Sequence, residues 1–337
     1  MEKMNILHRY TVGNTLRLLS NDEEGIGRMV FEKSFEISKD ENVLIVADPG
    51  KQEEASVFFE LAKRYTSNLS CIIFDGMTEN AQEPPQEVLE AMKTSDIAIL
   101  ATSHSLSHTQ ARNAASATGT RIASLPGITV EMMKRILVTD PVTMRKDSEK
   151  IAALLTSGDN VTITNAAGSN LSFSINGRDG IPDTGILSRP GDFGNLPAGE
   201  AFIAPVEGTA NGLLIVDGAI AEIELDVPVK IIVEAGIAAF IEGGKAAREL
   251  ERRMELAGDN ARILCELGIG TNHAARLSPN VLEAEKVYGS CHVAFGDNST
   301  FGGMNSVPFH TDCVIASPTF TIDDHVVVKD KMLTLGA

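Results

Sequence analysis

The chain has 337 residues, beyond the roughly 250–300 at which one hydrophobic core stops growing, so two domains or one elaborated domain are expected and a miniprotein is excluded. Hydrophobic residues at 43%, charged residues at 22%, 29 Gly and 13 Pro are ordinary globular values and exclude a disordered or collagenous chain. A net charge of -17 repels phosphate backbones and argues against nucleic acid as a partner.

Residues 1–17 lack the continuous apolar core of a secretory signal, which points to the cytoplasm. From residue 43 the pattern is a strand over 43–47, a turn at Asp48-Pro49-Gly50 and a helix over 53–65. A strand over 71–74, a helix over 85–93, a strand over 97–101, a helical stretch ending before Gly119 and a strand over 121–124 continue the alternation. Such alternation predicts a parallel sheet covered by helices. The turn after the first strand contains neither GxGxxG nor GxxxxGK[ST], so no glycine cradle for a phosphate is expected there. No GxSxG serine elbow occurs anywhere in the chain.

After Pro141 and a short helix over 148–155, the pattern changes to short alternating segments, 160–164 and 171–175, which suit an antiparallel sheet. The expected fold is therefore an N-terminal parallel α/β domain, residues 1–156, followed by an α+β domain, residues 157–337, with a mixed or antiparallel sheet. Further strands are predicted over 201–204, 213–216 and 229–233, and a charged helix over 245–257, whose i,i+4 pairs read as a solvated face. No window approaches eighteen uncharged apolar residues, because the most apolar stretch, 227–241, contains Lys230 and Glu234. No membrane partner is expected. Cys71, Cys265, Cys291 and Cys313 lie far apart without a CxxC pair and read as buried, reduced thiols.

The final third carries the chemistry. His273, His292, His310 and His325 lie within the last 65 residues. In His310-Thr311-Asp312, residues i and i+2 face one side of a strand, so imidazole and carboxylate can share a cation. Glu200 opens an apolar strand, Glu266 precedes Gly268-Ile269-Gly270, and His292 lies in the apolar run Cys291-His292-Val293-Ala294-Phe295. Carboxylates in apolar settings need partners, and a bound divalent ion offsets their charge. His104 and His108 read as polar loop residues that could instead line a substrate cleft. Phe301-Gly302-Gly303-Met304-Asn305 reads as a tight turn beside the site.

The segments Asn195-Leu196-Pro197-Ala198-Gly199-Glu200-Ala201-Phe202-Ile203-Ala204-Pro205, Glu266-Leu267-Gly268-Ile269-Gly270-Thr271-Asn272, His292-Val293-Ala294-Phe295-Gly296 and His310-Thr311-Asp312 resemble the M29 metalloaminopeptidases of the aminopeptidase T type. The resemblance implies a homodimeric hydrolase releasing N-terminal residues from peptides or similar small amides. It implies two divalent ions (Zn, Co or Mn) held by Glu200, Glu266, His292, His310 and Asp312, with Glu285 or Glu207 moving the proton of a metal-activated water. The chain departs from that family in having no tyrosine shortly after His292. It also resembles the related 2,5-dihydroxypyridine dioxygenase branch, which implies one Fe(II) held by two histidines and a carboxylate, with a histidine about where this chain has Glu266. Glu266 at that position favours the two-ion hydrolase as the leading expectation, and the nearby His273 keeps the iron reading as the alternative. A binding protein without turnover on the same scaffold is a third expectation.

Overall fold

The computed structural model describes residues 8–9 and 21–335, so most of the stretch 1–17 read for a signal lies outside the described residues. Two compact units emerge, Met1–Val142 with Gly185–Ala198, and Thr143–Thr184 with Gly199–Ala337.

The first unit is built on a six-stranded sheet. Its strands are β1 (His8–Arg9), β2 (Val43–Ala47), β3 (Leu69–Ile73), β4 (Ile97–Ala101), β5 (Arg121–Ser124) and β9 (Phe193–Asn195), in the order β1-β3-β2-β4-β5-β9. Only β1 is antiparallel to its neighbour; β3, β2, β4, β5 and β9 run parallel. Every residue of β2 and β4 is buried, as continuous Val/Ile/Leu/Ala runs require when helices cover both faces of a parallel sheet. The helices between them start where side chains satisfy the first turn: Thr109 accepts from the Arg112 N–H and Thr129 from the Met132 N–H. Asp48 likewise caps the single 3-10 turn Pro49–Lys51 by accepting from Gly50.

In the second unit, eight strands form an antiparallel sheet: β6 (Asn160–Asn165), β7 (Asn170–Ser174), β11 (Asn211–Val216), β13 (Val229–Glu234), β14 (Ile237–Glu242), β18 (Pro318–Ile322), β19 (His325–Lys329) and β20 (Met332–Leu333). Six more form a second antiparallel sheet: β8 (Ile181–Asp183), β10 (Glu200–Ile203), β12 (Ala219–Ile220), β15 (Leu264–Gly270), β16 (Cys291–Gly296) and β17 (His310–Ile315), in the order β12-β17-β16-β15-β10-β8. The α/β and antiparallel expectations are thus met.

The division falls at Val142/Thr143, ahead of the expected Thr156. Ile151, Ala152 and Leu155 of the helix Pro141–Ser157 explain this, because they pack into the core of the second unit. Composition could not reveal the return of Gly185–Ala198 to the first unit, where β9 extends the parallel sheet.

The six-stranded antiparallel sheet has two unlike faces. Ala201, Ile203, Leu267, Ile269, Cys291, Val293, Phe295, Cys313 and Ile315 all belong to one apolar cluster shared with the eight-stranded sheet. Each large aliphatic or aromatic side chain so buried contributes about 1.5–3 kcal/mol relative to exposure. Alternation then sends the intervening residues, including every predicted ligand, to the other face. All four cysteines are free and buried, and no helix among the described residues is long and apolar enough to cross a membrane.

Candidate metal centre

Registry brings the predicted ligands together. On adjacent strands Glu266 is opposite Ala294, and Ala294 is opposite Asp312; one step along, Gly268 is opposite His292, while Gly296 is opposite His310 and Glu200 opposite Gly270. Small residues therefore alternate with functional ones across β10, β15, β16 and β17, which leaves room over the backbone for the functional side chains. Glycine at 268 is a requirement: a Cβ there would lie 2.1 Å from His292 Cε1 and 2.2 Å from His292 Nε2, so the imidazole lies flat over bare backbone. A β-bulge between Leu264 and Glu266 makes this phase work. It lets Leu264 enter the apolar cluster while Glu266, two residues on, joins the opposite face.

The result is a row of alternating charge. His310 Nε2 lies 3.5 Å from Asp312 Oδ1 and 3.3 Å from Glu266 Oε2. His292 Nε2 lies 3.5 Å from Glu266 Oε1 and 3.5 Å from Glu200 Oε2. Lys286 Nζ then donates to Glu200 Oε1 at 2.7 Å and to Glu285 Oε1 at 2.6 Å, with Asp183 Oδ2 at 3.6 Å. Ligands about 2.0–2.2 Å from a four-coordinate ion lie about 3.3–3.6 Å from one another, the spacing found here. One ligand atom each from Glu266, His310 and Asp312 falls within 4.8 Å of the others. His310 Nδ1 faces the Asp297 carbonyl at 2.9 Å; donation there turns Nε2 toward the two carboxylates, as a metal-bound imidazole needs.

Burial makes these groups hold charge for one another. Burial alone would depress the His292 imidazole, but Glu266, Glu200 and Asp312 lift it to about 9. Burial would likewise depress His310, yet it is raised well above its ordinary value by Cys265 and Asp312. Burial works to raise Glu266, and the two imidazoles hold it well below the usual carboxylate range. The His292 ring nitrogens and Glu200 Oε2 are buried without a hydrogen-bond partner, a situation proteins tolerate where an ion or another ligand completes the site. The donor set of two imidazoles and three carboxylates fits a divalent metal.

The other predicted residues are distributed differently. Glu285 joins at the Lys286 end, with its carboxyl pushed up to about 8 by burial. Glu207, the second acid expected, is instead occupied: Arg178 pairs with one oxygen, and Asn298 Nδ2 and the Met304 N–H donate to the other at 3.1 and 2.8 Å. It ties down the loop containing Phe301 and keeps its proton off, with its carboxyl lowered despite partial burial. His273 is exposed and stacks on Tyr288 with ring centroids 3.7 Å apart, so it does not stand in for a histidine at Glu266. Phe301 meets Phe202 edge-on at 5.6 Å and His310 at 6.2 Å. Sequence reasoning missed Lys286, because Glu285-Lys286 reads as an ordinary surface pair, although Lys286 is fully buried.

Comparisons with known proteins agree with this chemistry. The family described as 2,5-dihydroxypyridine 5,6-dioxygenase matches residues 28–334. A 2,5-dihydroxypyridine 5,6-dioxygenase of Pseudomonas putida KT2440 is 25% identical over 230 residues, 63% of this chain and 63% of that protein, so the match spans less than two thirds of the relative's length. The solved 2,5-dihydroxypyridine dioxygenase from Pseudomonas putida KT2440 has a TM-score of 0.80 at 19% identity, covering 94% of this chain and 98% of the other. AmpT from Thermus thermophilus has a TM-score of 0.68 at 14% identity, covering 93% and 99%. Both likenesses concern fold; the M29 resemblance is met at that level, whereas the sequence match is to the dioxygenase branch. The chain belongs to the 2,5-dihydroxypyridine 5,6-dioxygenase family.

Proposed function

We propose that this protein is a cytoplasmic, mononuclear metal-dependent dioxygenase that opens the ring of a dihydroxylated pyridine or a similar hydroxylated aromatic. The family match supports the reaction class, and the observation that carries the site is the cluster of Glu266, His310 and Asp312 on one face of the sheet. A bound Fe(II) would supply the activation of dioxygen. Glu266, His310 and Asp312 would hold it, one imidazole and two carboxylates where the resemblance implies two imidazoles and one carboxylate, and the Asp297 carbonyl sets the His310 ring. His292 Nε2 stands 3.5 Å from both Glu200 Oε2 and Glu266 Oε1, placed to exchange a proton with that pair. Phe202 and Phe301 supply an aromatic wall beside His310 suited to a flat ring.

A second reading, hydrolysis of an N-terminal peptide bond by a two-ion site, is favoured by one observation. The two oxygens of Glu266 face different imidazoles, so Glu266 could serve two ions, the second of which Glu200 and His292 would also hold. Glu285, raised to about 8, would then be the proton carrier. The test is anaerobic reconstitution with Fe(II), followed by oxygen uptake with 2,5-dihydroxypyridine and, in parallel, release of p-nitroaniline from leucine p-nitroanilide with Zn(II), Co(II) or Mn(II). Oxygen uptake supports the first reading; turnover of the anilide without any oxygen uptake replaces it with the second.

A further inference from the structure

We infer that Lys286 is a built-in cation that sets the metal count, taking up the charge of Glu200 so that one ion binds tightly at Glu266, His310 and Asp312 and none binds tightly at Glu200 and His292. This positioning role rests on the metal reading above and goes beyond it by assigning a residue that controls stoichiometry.

The two halves of the row are unequal. Among the described residues, Glu266 and Asp312 have only imidazoles as ion-pair partners, and imidazoles become neutral ligands when a metal displaces their protons. Glu200 has an imidazole on one oxygen and the Lys286 ammonium on the other at 2.7 Å. An ammonium cannot ligate, and as a fixed positive charge it opposes a second cation on the same carboxylate.

The ammonium is also locked in place. Lys286 is fully buried, and three carboxylates, Glu200, Glu285 and Asp183, surround its Nζ. Burying such a charge is tolerated only with partners of this kind, which hold it protonated. The backbone places it: Lys286 and Val287 cross directly over Gly270, the residue paired with Glu200, and a Cβ on Gly270 would lie 2.1 Å from the Val287 carbonyl oxygen and 2.7 Å from the Lys286 carbonyl carbon. The Asn272 N–H donates to the Lys286 carbonyl at 2.9 Å and fixes the crossing. The chain therefore delivers an ammonium to the end of the row where a second ion would sit.

The experiment is titration of the metal-free full chain with Co2+, read by native mass spectrometry and elemental analysis, for the wild type, Lys286→Met and Glu200→Gln. One tight Co2+ in the wild type, two in Lys286→Met and one in Glu200→Gln, bound within about threefold of wild-type affinity, is the expected result. Two equally tight ions in the wild type, one ion in a folded Lys286→Met, or loss of the ion in Glu200→Gln would each overturn the inference while leaving the metal reading in place. If Lys286→Met does not fold, Glu200→Gln decides: retention of the ion supports the role and its loss refutes it. A wild type that takes no Co2+ at all overturns the metal reading itself.

Discussion

Replacing Gly268 by alanine probes the centre without removing a polar atom. The added methyl would start 2.1 Å from His292 Cε1 and 2.2 Å from Nε2, whereas carbon contacts settle near about 3.5 Å. The ring must then retreat by roughly 1 Å or more, or the β15–β16 pairing must open. Overpacking of this kind destabilises by about 1–3 kcal/mol, and a displacement of about 1 Å near the chemistry reduces turnover by about a hundredfold. The cause can be isolated in a cycle with His292→Ala, which removes the ring that the methyl strikes. Urea unfolding of the wild type, both single variants and the double variant should show a coupling of at least about 1 kcal/mol, the methyl being tolerated once the ring is gone. Single variants whose effects add within about 0.5 kcal/mol, together with full activity in Gly268→Ala, would refute the placement of His292 over residue 268.

Asp312→Asn and His310→Ala should each lower metal affinity by at least about tenfold to a hundredfold with far-UV circular dichroism unchanged; elemental analysis showing full occupancy in either would remove those residues from the centre. In the metal-free protein the raised His292 pKa, about 9 in the fold against an ordinary value near about 6.5, makes a stabilising contribution that is complete below about pH 6.5. It is lost as pH rises through about 9, by at most about 3 kcal/mol. The melting temperature in chelator should accordingly fall over that window, while metal affinity should rise with pH as protons leave the imidazoles; a chelated protein that gains stability from pH 6.5 to 9 contradicts the charged row. Glu207→Ala should destabilise by about 1–3 kcal/mol by leaving Arg178 and Asn298 without their partner, with metal affinity unchanged. A Glu207→Ala chain that melts like wild type shows that the loop does not depend on it.

Parts of this architecture were legible from residues alone, and the reasons differ by element. The strands Val43–Ala47, Ile97–Ala101 and Arg121–Ser124 and the helix Lys245–Ala257 match the expected bounds, because apolar runs or a charged helical face left one periodicity available. The helix Pro141–Ser157 was read short at its start, since the polar run 145–150 hides its apolar stripe. Glu266 was legible as a polar residue in an apolar run, but not as a site-facing one: Leu264 and Glu266 would share a face without the bulge at Cys265. The convergence of Glu200, Glu285 and Asp183 on Lys286 was illegible, because residues 183, 200 and 286 approach only through strand pairing and the crossing over Gly270. The ion pair of Glu207 was hidden because nothing local marks Arg178, 29 positions away, as its counter-ion.

Every group in the charged row except Lys286 and Glu285 belongs to a hydrogen-bonded strand, Glu266, His292 and Asp312 within it and Asp183, Glu200 and His310 at its end. The turns around the row can therefore be lengthened, trimmed or rewritten without displacing these groups, while a single-residue insertion inside β10, β16 or β17 would swap the polar set into the hydrocarbon interior. That constraint leaves the surrounding turns free to vary over a fixed strand framework, and it is in fold that solved structures of 14–19% identity resemble this chain.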